Sequence, residues 1–236
     1  MKKIMFILIL FLSCFFIYKF TIKEKLYYVS IGDFLAINKD KDANASKYNY
    51  TDAIINYLSN NNKLKSYNID FIKEDYRISD FIRILKYKET ITENNRQITL
   101  HELLKEADIL TISLGMNELY FKLNTNNNNL YTYINSMLKE YSILLEEINR
   151  YNYKEVYIFG LYNVNSKNKD IINYFNYKLK KFVENKNYTF ININDILNNK
   201  KYFEKGSYYL NDVGYNKISQ IIVENLKKYW YNIVRI

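Results

Sequence analysis

From Leu26 onward, short apolar runs alternate with longer stretches in which apolar residues recur every three or four positions. Runs of the first kind, rich in Tyr, Val, Ile and Phe, read as strands buried on both faces; the second kind read as helices with one apolar stripe. The pattern predicts strands at Leu26–Ile31, Tyr67–Ile72, Ile109–Leu114, Glu155–Gly160 and Thr189–Ile193. It predicts helices near Tyr50–Ser59, Ser79–Lys86, Leu100–Ala107, Tyr131–Asn149, Lys169–Glu184 and Val213–Trp230. Such alternation is the signature of an α/β domain with a parallel sheet covered by helices on both faces. Thr99 and Glu102 have capping-box spacing and fix the start of the third helix. Asn211 and Asp212 are suited to cap the last one, and the string Asn124 to Asn129 reads as a polar surface loop.

The first 25 residues follow another pattern. Lys2 and Lys3 precede an apolar run from Ile4 to Tyr18, and Lys19, Phe20, Thr21 and Ile22 lead to the charged Lys23, Glu24 and Lys25. The run covers about 22 Å as a helix and approaches a minimal span if Phe20 and Ile22 are included and Lys19 snorkels. No small-x-small cleavage site follows it, and Phe11-Leu12-Ser13-Cys14 lacks the Leu expected three residues before a lipobox Cys. Residues 1–25 are therefore expected to form an uncleaved signal anchor, rather than a lipoprotein signal or a buried element, with residues 26–236 as one domain outside the cell membrane.

Composition narrows the chemistry. With one His and one Cys in 236 residues, a disulfide framework, a thiolate cluster and a multi-His metal site are excluded within one chain, and no cofactor is expected. The formal charge of +9 raises nucleic acid as a partner. Lys, Asn, Ile, Tyr and Phe, all with AT-rich codons, dominate throughout, so the Lys excess has a compositional origin; that and an extracytoplasmic location count against nucleic-acid binding.

In an open parallel sheet, ligands bind beyond the carboxyl ends of the strands, here Gly32–Asn38, Glu74–Ser79, Gly115–Tyr120, Leu161–Ser166 and Tyr202–Asn211. Three of these loops carry family-like strings. Ser30-Ile31-Gly32-Asp33-Phe34-Leu35 ends the first strand; Ser113-Leu114-Gly115-Met116-Asn117-Glu118 ends the third; Tyr209-Leu210-Asn211-Asp212-Val213-Gly214-Tyr215 leads into the last helix. Together, over roughly Tyr27 to Trp230, they resemble the SGNH (GDSL-type) hydrolases, a family of esterases, lipases and carbohydrate deacetylases. The resemblance implies a three-layer, flavodoxin-like fold with a five-stranded parallel sheet in the order 2-1-3-4-5, and a crevice shared by Phe34, Asn117 and Tyr209.

The resemblance also implies that the reacting groups are gone. The family's nucleophilic Ser falls on Phe34, which has no atom to attack an ester; its general-base His falls on Tyr209, and its orienting Asp on Gly206. A phenol is a poor base at neutral pH. The oxyanion donors fare better: Asn117 matches the family's Asn, the Phe34 N–H remains, and the second-block Gly falls on Asp75. Asn117 can equally be read as a brace for the loop after Gly115. Glu118 in place of the family's Asp leaves the tightness of this loop open.

Other candidates have plainer readings. Ser30 is expected to point into the sheet layers, Ser79 to cap a helix, and Ser207 has no partner at family spacing. His101 sits in a helix start. Clustering of Tyr202, Phe203, Tyr208 and Tyr209 follows from the abundance of Tyr, although such rings also stack on sugars or bases. The expectation is a catalytically degenerate domain, held at the membrane by its N-terminal segment, that binds an acylated glycan, a lipid or a protein partner. The alternative is an active esterase or carbohydrate deacetylase using residues outside the family pattern.

Overall fold

The computed structural model describes residues 25–37, 48–93, 96–125, 129–163 and 168–234. The expected anchor lies outside these residues. Among the described residues, no helix is long and apolar enough to cross a membrane.

Five parallel strands form the main sheet: β1 (Leu26–Gly32), β2 (Leu64–Asn68), β5 (Ile109–Ser113), β6 (Glu155–Phe159) and β7 (Thr189–Ile191), in the order β2-β1-β5-β6-β7. Counting only these strands, that is the expected 2-1-3-4-5. A separate antiparallel pair, β3 (Thr90–Glu93) and β4 (Arg96–Thr99), was not predicted. The helices are α1 (Phe34–Ile37), α2 (Tyr50–Asn60), α3 (Ile78–Tyr87), α4 (Leu100–Glu106), α5 (Met116–Asn124), α6 (Leu130–Ile148), α7 (Lys169–Glu184), α8 (Ile193–Ile196) and α9 (Asp212–Val234), with a 3₁₀ turn at Lys200–Tyr202.

Right-handed crossovers fix the layers. The chain steps from β1 to β2 in one direction and from there through β5, β6 and β7 in the other. The crossover helix α2 therefore covers one face, while α3, α6 and α7 cover the opposite one. Contacts agree: α2 packs on α9, and α6 packs on both α3 and α7. The three central strands are apolar at most positions because neither face meets water; β1 and β5 are buried at every position.

One strip of this core is polar. The Tyr28 and Thr111 hydroxyls lie 2.8 Å apart, Thr111 Oγ1 donates to Ser30 Oγ at 2.8 Å, Ser30 lies 3.4 Å from the Tyr50 hydroxyl, and that hydroxyl is 3.0 Å from Ser113 Oγ. Ser30 thus points between the layers, as expected. A burial cost of a few kcal/mol per unpaired hydroxyl is offset by this chain of partners.

β2 departs from expectation, beginning at Leu64 and not at Tyr67. It is an edge strand whose middle three residues face solvent, so it lacks an apolar signature, while Ile72, within the predicted range, instead bridges to Gly32. Gly32 must be glycine at this crowded point. A Cβ there would lie 2.4 Å from Ser113 Oγ and 2.9 Å from the Ser113 carbonyl oxygen.

Candidate functional site

One wall of the crevice is built around a buried carboxylate. Asp33 follows β1 directly, donates its N–H to the Ser113 carbonyl at 2.8 Å, and is fully buried. Its Oδ2 accepts the N–H groups of Met116 (3.0 Å) and Asn117 (3.3 Å), and its Oδ1 that of Leu35 (3.4 Å). The reason lies in α5. Its N-cap is Gly115, which has no side chain to satisfy the first N–H groups of the helix, so Asp33 supplies the acceptor from the neighbouring strand. Burial pushes the Asp33 carboxyl up to about 7, against the pull of the backbone donors.

This arrangement ties the Asn117 backbone to the residue before Phe34, so two of the three family-like strings meet. Phe34 opens α1. Asn117 occupies the first turn of α5, is partly exposed, and its carboxamide has no hydrogen-bond partner among the described residues. It therefore does not brace its own loop through its side chain. The next residue does. Buried Glu118 accepts the Ile78 N–H at 2.6 Å, at the start of α3, and burial raises its carboxyl to about 7. Glu118, longer than the Asp that the resemblance would put here, ties the loop to a neighbouring helix. Ser79 is not the cap of that helix; Arg77 holds the N-cap position, and its N–H donates to Asp80 Oδ2 at 2.9 Å.

The opposite wall is a tight turn between the 3₁₀ segment and α9. Phe203 bridges to Leu210, the Glu204 N–H donates to the Tyr209 carbonyl at 3.0 Å, and Ser207 Oγ accepts the Tyr209 N–H at 3.0 Å. Gly206 sits at the exposed tip with φ +73, and a Cβ there would meet nothing within 4 Å. Asn211, as expected, caps α9, accepting the N–H groups of Val213 and Gly214 at 3.0 and 3.1 Å.

Tyr209 reaches out of this turn and donates its hydroxyl to Glu74 Oε1 at 2.7 Å. Burial, and then this bond, push its pKa upward, so it holds its proton in the position where the resemblance puts a general base. Its ring stacks on Tyr208 (4.6 Å), which stacks on Tyr120 of α5 (4.2 Å), and the Tyr162 hydroxyl donates to the Tyr208 carbonyl at 2.8 Å. The loops after β1, β2, β5 and β6 are thereby joined to the last turn. Asp75, beside Glu74, is exposed.

Two contributors were not singled out from sequence. Asp33 stood inside the first motif, but its role depends on a helix start more than 80 residues away. Glu74 lay in a loop marked for inspection with no motif to distinguish it. His101 takes no part: it bonds Tyr151 and the Leu85 carbonyl, away from these loops. Among the described residues no group of three His, Cys, Asp or Glu is placed to hold a metal ion.

Beside the tyrosine stack lies an open cleft of about 630 Å³ bordered by Tyr120, Asn124 and the Lys200–Tyr208 segment. A second, of about 670 Å³, adjoins it and is lined largely by Asn side chains.

No protein-family model matches the chain, and no curated protein matches it. Solved structures do. A lipase from a goat rumen metagenome superposes with a TM-score of 0.67 at 20% identity, covering 87% of this chain and 97% of the lipase. An acetylxylan esterase from Geobacillus stearothermophilus gives 0.61 at 11% identity over 86% of this chain and 94% of its own. Another acetyl xylan esterase gives 0.61 at 13% identity, covering 85% and 99%. What the chain shares with these enzymes is their architecture: it has a hydrolase-type α/β fold.

Proposed function

We propose that the chain is an SGNH-hydrolase-like domain, anchored by residues 1–25 outside the cell membrane, that has lost acyl-ester hydrolysis and binds an envelope glycan, lipid or protein partner. One observation carries this reading: at the position where the resemblance puts a base, the Tyr209 hydroxyl donates its hydrogen bond to Glu74. Ester hydrolysis by a triad needs a hydroxyl, a base titrating near neutrality and an orienting acid. Phe34 has no hydroxyl, Tyr209 no accessible basicity, and Gly206 no carboxylate. The test is turnover of p-nitrophenyl acetate and acetylated xylan by the full-length chain in detergent. The expected result is none above a heat-denatured control; turnover abolished by Asn117→Ala would overturn it. Anchoring is tested separately by protease added to wall-stripped cells, which should degrade the domain while intact protein fractionates with membranes.

A second reading is favoured by one observation, the unpaired Asn117 carboxamide. An oxyanion donor left free beside the backbone N–H groups suits an active esterase or deacetylase whose attacking group comes from outside the family pattern. Asn117→Ala discriminates the two, because only the second reading gives it an activity to lose.

A further inference from the structure

The two clefts share a wall. Lys200 and Phe203 line both, so the clefts run into one another as a groove from the end of α5, past the 3₁₀ turn, to α8. Neither Asn117, Tyr209 nor Glu74 lines it; of the positions that the resemblance singles out, only Gly206 borders it. At about 630 and 670 Å³, each part falls in the size range of a small-ligand site, and the two joined suit a chain of several units.

The lining says what kind of chain. Asn124 in the first cleft and Asn198 in the second have carboxamides without a partner among the described residues. A carboxamide offers a donor and an acceptor side by side, which matches adjacent hydroxyls. Phe203 at the junction is buried, and the other rings lie at one end, where Tyr208 is stacked on both Tyr120 and Tyr209 and presents an edge and not an open face. An acyl chain would need a continuous apolar channel, and the Asn, Lys and Ser side chains interrupt any such path.

Charge adds the last element. Lys205 lines the first cleft, Lys169 the second, and Lys200 the junction, and none of the three is in an ion pair among the described residues. The two acids of the lining differ: Asp195 accepts the Asn192 amide at 2.7 Å, and Glu204 has a partner of its own. The lining thus carries three ammonium groups without ion-pair partners against two carboxylates, each already holding a partner within the protein.

We infer that this groove binds an anionic saccharide or polyol chain, its hydroxyls held by Asn124 and Asn198 and its negative groups by Lys205, Lys200 and Lys169. The inference deepens the proposed function and rests on it in that the ligand is held and not cleaved. Carboxylates of uronic acids and phosphodiesters of a polyol polymer share the chemistry that these ammonium groups recognise.

The test is calorimetric titration of the full-length chain in detergent with hexagalacturonate, with poly(glycerol phosphate) and with neutral xylohexaose. At least one anionic polymer should bind, about tenfold or more tightly than xylohexaose, and binding should weaken as salt rises. Which of the two binds identifies the anion. Lys200→Gln, an exposed position without partners, should weaken binding about tenfold, whereas Lys105→Gln on α4, the same charge change away from the groove, should not. Equal binding of the neutral hexamer, no binding of any of the three, or equal effects of Lys200→Gln and Lys105→Gln would overturn the inference. Acetate release from acetylated xylan, run alongside, separates the two failures. Turnover with anion binding intact refutes the non-hydrolytic reading alone, and absence of both refutes the groove alone.

Discussion

The two walls of the crevice are made differently. On the β1–β5 side, Gly32, Asp33, Gly115 and Asn117 keep the family-like strings, and they are packed so closely that a methyl group on Gly32 would collide with Ser113. On the other side, Gly206 to Tyr209 occupy a tight turn with an exposed tip, at the positions where the resemblance would put an Asp and a His. The first wall is constrained by folding itself, since Asp33 supplies a helix start that has no cap of its own. The second wall carries little of the core. Substitutions at its exposed tip therefore disturb the fold less than substitutions on the first wall.

That contrast can be broken at the level of activity first. Phe34→Ser alone should recover nothing measurable, because triad members act as a unit and each missing one costs on the order of 10⁴-fold. Phe34→Ser with Tyr209→His should recover weak p-nitrophenyl acetate turnover, since an imidazole at this position can inherit the bond to Glu74 and be oriented by it. Adding Gly206→Asp should contribute little, because the site has positive φ and faces open space. An absolute need for Gly206→Asp would show that Glu74 does not serve as the orienting acid.

Stability gives the next contrast. Gly32→Ala should cost about 3 kcal/mol or more through overpacking against backbone, whereas Gly206→Ala should cost about 1 kcal/mol, the penalty of a left-handed L-residue. Urea denaturation of the two variants side by side checks this; similar losses would erase the difference between the walls.

The third effect depends on pH. Asp33 has a folded-state pKa of about 7 against an ordinary carboxyl near 4, so between those values the native chain keeps a proton that the unfolded chain has lost. Its contribution is present below about pH 4, is lost as pH rises to about 7, and changes little beyond. Asp33→Asn removes this dependence, so the stability of the variant relative to wild type should improve by about 3 kcal/mol between pH 4 and pH 7.5. Parallel pH–stability curves would refute it. The smallest effect is that of Tyr209→Phe, which removes a partly exposed hydrogen bond and should lower stability by about 1 kcal/mol in the same assay.

Strand order and the long helices were legible because apolar periodicity is a local record of burial: α7 begins and ends where its pattern does. Elements with little burial were not. β2 is polar at its centre, and β3 and β4 are four residues each; Asn94-Asn95 between Thr-Ile-Thr-Glu and Arg-Gln-Ile-Thr was a turn signal available to the eye. α5 was hidden because its start is capped from another strand, so no local Ser, Thr or Asp announces it. In the site, motif positions could be read one by one. The Glu74–Tyr209 bond could not, because it joins residues 135 apart through geometry that neither loop encodes alone.

The hydroxyl chain inside the sheet has a consequence for how the strands find one another. β1 and β5 are both almost wholly apolar, and two such strands gain nearly the same hydrophobic energy in several alignments. Ser30 lies opposite Thr111, and the chain from Tyr28 to Ser113 closes only in that register. A slip of one residue would turn these side chains to opposite faces and leave hydroxyls stranded among Leu110 and Ile112. At about 1–3 kcal/mol for each stranded group, the wrong alignments are disfavoured by far more than apolar contact alone could distinguish them. The polar strip is a key cut into the middle of the sheet: it selects one alignment of otherwise interchangeable strands, and with it the placing of every loop at their ends.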